Sequence, residues 1–246
     1  MLAAVLALVA VSIVVGVKVL LLARRTRGFP ERVLGVYFLL GGGVGYPLSA
    51  VSAVSGEWQA VLAAVSSVFV SGALWLLFVF TARVFYGGRG PARGAVVFGA
   101  ALCLAYTVGY SVSQLSAETE AELLRSTMTW GGFSLFVSAA AFGWTGVESL
   151  RHWAVYRRRV VLGLADAVAV NRMLLWGLMG TIILAVVVID TLLLYTGTAV
   201  AREVLLPLVT SVAGILSSAC LALAFLPPRS YLEAVRRRAA ASAGAL

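Results

Sequence analysis

Side chains able to do chemistry are few in this sequence and stand far apart. It has one histidine, His152, and two cysteines, Cys103 and Cys220, both in the middle of apolar runs. These scattered nitrogen and sulfur donors do not have the ligand spacing of a zinc or haem site. His152 lies outside the apolar runs, so no mid-run serine has a base beside it. No P-loop, dinucleotide fingerprint or HExxH motif occurs. The sequence therefore predicts no catalytic residue, no metal ligand, no cofactor and no enzyme activity.

What remains is charge and hydrogen bonding set into apolar surroundings. Asp190 sits about one turn inside the end of a long apolar run, and an ionisable group there is by default a functional candidate. Tyr106, Tyr110 and Gln114 fall at i, i+4 and i+8, which puts two phenols and an amide on one helix face. If that stripe meets Asp190, the two outline a site for a cation, a proton or an amine. In the competing reading Asp190 is hydrated at the interface, caps its own helix or pairs with Arg202, and the stripe belongs to an aromatic belt.

A second group is Glu148, Arg151 and His152, at i, i+3 and i+4, so one carboxylate can meet both cations on a single face. It reads either as an interfacial ion pair or as a pH-sensitive contact for a partner. Arg157, Arg158 and Arg159 follow it and offer a surface to a cytoplasmic protein or to anionic lipid.

The elements that must hold these residues follow from composition. Of 246 residues 61% are hydrophobic and 12% charged, against about 45–50% and about 25% in soluble domains. A helix needs roughly 20 mainly apolar residues to cross the hydrocarbon. Seven stretches qualify: residues 1–23, 33–54, 61–85, 95–114, 128–148, 173–195 and 204–226. They are continuously apolar rather than alternating, which excludes a transmembrane barrel. The fold predicted is an all-α, seven-helix membrane bundle, residues 1–226, with a short basic tail at 227–246 that can lie on the membrane as an interfacial helix.

Charge orients the bundle. Sixteen of eighteen arginines fall on one side of this layout and only Arg125 and Arg202 on the other, which places the N-terminus outside and the tail in the cytoplasm of a cell membrane. A thin arginine rim against anionic headgroups accounts for the net charge of +9 without nucleic acid as a partner. Eighteen arginines to one lysine, with much alanine, point to a GC-rich bacterial genome. In topology alone the layout resembles that of microbial rhodopsins and G-protein-coupled receptors. The lysine that holds retinal in rhodopsins has no counterpart in the centre of span seven, which reads Ala213, Gly214, Ile215, Leu216.

Two local features predict where helices bend or approach. Gly41 to Gly45 in span two contains the small-xxx-small pair Gly41 and Gly45, with Pro47 close behind. Pro207 stands in the outer part of span seven, and Thr210, Gly214, Ser218 and Ala222 form a four-residue series that reads as a packing seam. Thr119 and Glu122 have capping-box spacing and predict a short surface helix before span five. Asp166 reads as a cap, and the deep tryptophans Trp75, Trp144 and Trp176 as core. The functional expectation is a non-enzymatic sensor or receptor-like subunit that acts through a partner. The alternative is a small-solute transporter, with Gly41, Gly45, Pro47 and Pro207 as bending points.

Overall fold

A chain in hydrocarbon must satisfy every backbone N–H and C=O internally, and long apolar runs do so as helices. The computed structural model describes residues 2–196 and 205–243, and has no strand among them. In chain order the helices are α1 (Leu2–Thr26), α2 (Phe29–Phe38), a π-helical segment (Leu39–Gly45), α3 (Tyr46–Ser52), α4 (Gln59–Tyr86), α5 (Pro91–Leu115), α6 (Glu120–Val161), α7 (Ala167–Thr196), α8 (Leu206–Phe225) and α9 (Arg229–Ala243). Six runs are long and apolar enough to cross a membrane: Leu6–Thr26, Phe29–Ser52, Gly56–Tyr86, Pro91–Leu115, Ala167–Leu193 and Leu206–Phe225. The chain is a multi-pass membrane protein.

The stretch expected as span five is helical but differs from these six. It lies inside the 42-residue α6, where Trp130, Gly131, Gly132, Ser134, Ser138, Trp144 and Thr145 dilute its apolar character. The predicted surface helix is the first part of α6 rather than a separate element. Its capping box is present, with Glu122 N donating to Thr119 Oγ1 at 3.2 Å and Thr119 N to the Glu122 carboxylate at 3.3 Å. No strong breaker follows Thr127, so the helix runs on.

The outer surface is as apolar as the core, and small hydroxyl residues are buried between helices. Val97, Leu104 and Val112 on α5 and Ile215 on α8 are exposed, at 56–70%, while Ser66, Ser67, Thr81, Thr145 and Ser149 are buried. A solvent-facing belt of this kind is unusual in water, and small hydroxyl residues at helix contacts are what lipid-embedded bundles use. Thr81 and Thr145 bridge α4 and α6 through hydroxyls 2.7 Å apart.

Glycines set the closest crossings. A Cβ on Gly180 of α7 would lie 2.9 Å from Gly146 Cα and 3.0 Å from Phe142 O, both on α6. In the glycine run a Cβ on Gly41 would press Ala73, one on Gly45 would press Val70, and one on Gly42 would collide with Ser12 of α1. Gly41 and Gly45 are thus packing positions against α4. Pro47 is the second residue of α3, directly after the π segment, and has no N–H to donate back into it. Ser66 Oγ of α4 donates to the Gly45 carbonyl at 2.9 Å. Pro207 likewise falls in the first turn of α8.

The connection between α6 and α7 shrinks to a few residues, with Gly163 at φ 69° and Asp166 accepting from Val168 N and Ala169 N. At 1.5 Å per residue α6 is about 63 Å long, roughly twice the thickness of a bilayer's hydrocarbon core, and Arg157, Arg158 and Arg159 stand at its C-terminal end. The tail is helical as α9. Its Tyr231 hydroxyl accepts from Asn171 Nδ2 of α7 at 2.8 Å, so this tyrosine is held by protein rather than by lipid.

Candidate functional site

A cavity of about 380 Å³ lies inside the bundle. Every membrane-length helix, α6 included, contributes to its wall. Asp190 of α7 lines it together with Tyr106 and Tyr110 of α5, and these two phenol rings are stacked 5.5 Å apart. The i, i+4 spacing makes that stack, and Asp190 reaches the same cavity from the face of α7 that also presents Ile183 and Val187. Asp190 Oδ1 is buried and has no hydrogen-bond partner among the described residues. Arg202, the partner expected for it, lies outside the described residues.

Gln114 does not line the cavity. It is 1% exposed and its Nε2 donates to Thr127 Oγ1 at 2.9 Å, so it ties the end of α5 to the first turns of α6. Trp130 Nε1 makes a parallel tie to Ser113 Oγ at 3.1 Å. The periodicity that placed Gln114 with the tyrosines is correct for the helix face, but at this depth α6 has already closed over that face.

Two further tyrosines, Tyr37 and Tyr46, line the same cavity and were not singled out from sequence. On an ideal α-helix nine residues amount to two and a half turns, so the pair is about 180° apart. The π segment between them rotates less per residue and turns both toward one space. Ser134 and Ser138 of α6 complete the polar wall, as do Thr210 and Ser217 of α8. Two members of the expected seam on span seven, Thr210 and Gly214, therefore face the cavity. The arrangement is an apolar and aromatic chamber with several hydroxyls and one carboxylate, within the size range of small-ligand pockets.

The second predicted group is assembled at the arginine-rich end. Glu148 is 6% exposed, and its Oε1 accepts from the Tyr86 hydroxyl of α4 at 2.7 Å. Arg151 approaches the same oxygen at 3.9 Å but is largely exposed. His152 Nδ1 lies 2.9 Å from the Glu148 carbonyl and 3.7 Å from Oε2, and its ring lies tilted against Phe85, centroids 4.6 Å apart. Tyr86 is the partner that sequence reasoning missed. Arg157 lies over the Trp153 ring and Arg159 over Tyr156, each at 4.9 Å.

Tyr86→Phe should leave a buried carboxylate oxygen without its donor and destabilise the protein by about 1–3 kcal/mol. Thermal unfolding of the detergent-solubilised variant measures it, and an unchanged midpoint would mean that Tyr86 does not satisfy Glu148.

No three His, Cys, Asp or Glu side chains converge as a metal site among the described residues. Comparison of the chain with protein families, curated proteins and solved structures finds no match.

Proposed function

We propose that the chain is a non-enzymatic, receptor-like subunit of the cell membrane. In this reading α6 is the seventh crossing helix, the N-terminus is outside, and the basic tail and arginine-rich connections face the cytoplasm. The cavity takes a small molecule with a cationic nitrogen, Asp190 supplies the counter-charge, and Tyr106 and Tyr110 supply ring faces for the cation. The observation that carries the reading is the continuity of α6. Ser134 and Ser138 wall the cavity, and the same unbroken helix ends at Arg157, Arg158 and Arg159. Occupancy of the chamber thus has a direct mechanical route to a surface suited to a cytoplasmic protein partner.

A panel of small organic cations, each paired with its neutral isostere, tests the ligand class by thermal shift of the purified protein. At least one cation should stabilise the chain while its neutral counterpart does not. Equal shifts within every pair would remove the charge-recognition reading. Topology is tested apart from the ligand: accessibility tags at Glu57 and at Arg158 should report opposite sides of the membrane. Both tags on one side would refute the odd number of crossings between them.

A transporter has one observation in its favour, the π segment that puts Gly41 and Gly42 on the cavity wall. Flux of the stabilising cation into reconstituted vesicles, slowed by Gly42→Ala, would favour it over a receptor.

A further inference from the structure

A second cavity, of about 720 Å³, opens at the arginine-rich end and is lined from α1, α2, α4, α6, α7, α8 and α9. Its mouth is apolar and turned outward: Leu22 and Val84 line it and are 47% and 40% exposed. Beside it the wall carries three exposed cations, Lys18, Arg25 and Arg172, against one carboxylate, Glu31. Lys18 Nζ donates to the Phe225 carbonyl at the end of α8, 3.0 Å away, which uses one of its three protons. Arg25 and Arg172 have no ion-pair or hydrogen-bond partner among the described residues.

Three cations against one carboxylate leave this space positively charged, and the side chains between them, among them Leu21, Leu34 and Phe80, are apolar. The charge calls for an anionic occupant, and the apolar lining and mouth call for one that carries a hydrocarbon chain. We propose that this cavity binds one anionic phospholipid from the adjoining leaflet. Its phosphate sits among Lys18, Arg25 and Arg172, and an acyl chain lies over Leu22 and Val84. The site is separate from the Asp190 chamber and stands or falls independently of it.

Native mass spectrometry of the full chain, released from phosphatidylcholine nanodiscs containing a minor fraction of phosphatidylglycerol, reads the bound lipid directly. One phosphatidylglycerol should be retained in preference to phosphatidylcholine, and soluble glycerol 3-phosphate should not displace it. The double variant Arg25→Gln, Arg172→Gln should weaken retention by on the order of tenfold or more. Val84→Trp, which fills the mouth and leaves every charge in place, should also abolish it. Arg229→Gln with Arg236→Gln removes equal charge elsewhere on the same end and should leave retention unchanged. Equal retention of the two lipids would overturn the proposal, as would equal loss in the tail variant, which would mean diffuse surface charge. Displacement by glycerol 3-phosphate would show a site for a free phosphate instead.

Discussion

Gly180→Val is expected to lower the thermal midpoint of the purified protein by on the order of 10 °C, or to prevent recovery of folded protein. A Cβ at this position already meets Gly146 Cα at 2.9 Å and Phe142 O at 3.0 Å. Both are backbone atoms, so no side chain can rotate away, and α6 and α7 must separate along their whole contact. Overpacking costs about 1–3 kcal/mol where neighbours can give, and this crossing lies at or above the upper end. In a chain of this size about 3 kcal/mol corresponds to that shift. Gly180→Ala should fall between wild type and valine. Gly131→Ala, whose Cβ meets nothing within 4 Å, should hold or raise the midpoint because alanine favours helix. A wild-type midpoint for Gly180→Val would mean that α6 and α7 do not cross at these glycines.

Asp190→Asn is expected to weaken binding of a cavity-directed organic cation on the order of 100-fold. The substitution keeps the shape of the side chain and removes the charge from a half-buried position whose Oδ1 has no hydrogen-bond partner among the described residues. Losing one member of a desolvated charge pair costs about 2–5 kcal/mol, and 1.4 kcal/mol is tenfold in affinity. The neutral isostere supplies the control: its affinity should be the same for both proteins. A matched loss for cation and isostere would point to a reshaped cavity. Unchanged cation affinity would show that Asp190 is not the counter-charge.

The apolar runs were legible because nothing else in an ordinary chain is continuously hydrophobic for some 20 residues. Asp190, Tyr106 and Tyr110 were legible for the converse reason, since polar groups inside such runs are rare. Contacts between helices were not. Gly146 and Gly180 carry no joint signal, because each is an unremarked glycine until the two helices are laid together. Tyr86 and Glu148 are 62 residues apart, and only the packing of α4 on α6 relates them. Tyr37 and Tyr46 were hidden by a change of helical period, which a pattern read at 3.6 residues per turn assigns to opposite faces. Gln114 shows the opposite fault: its face was right, but α6 occupies the space there. Trp176, read as core, is buried as expected, against Phe38, Phe80 and Phe225.

The unbroken length of α6 has a consequence in leverage. α6 packs on α7 from Gly132 beside Tyr195 to Leu150 beside Gly177, and the tightest point of that contact, Gly146 against Gly180, is where a tilting rod would pivot as a lever. From there α6 extends 15 residues to Val161 and 26 residues to Glu120, arms of about 22 Å and about 39 Å. A tilt of about 5° in this rod displaces the arginine tip by about 2 Å and the opposite tip by over 3 Å in the reverse direction. Ser134 and Ser138 lie partway along the long arm, so a sub-ångström push on the cavity wall arrives at the arginines with its amplitude kept rather than damped.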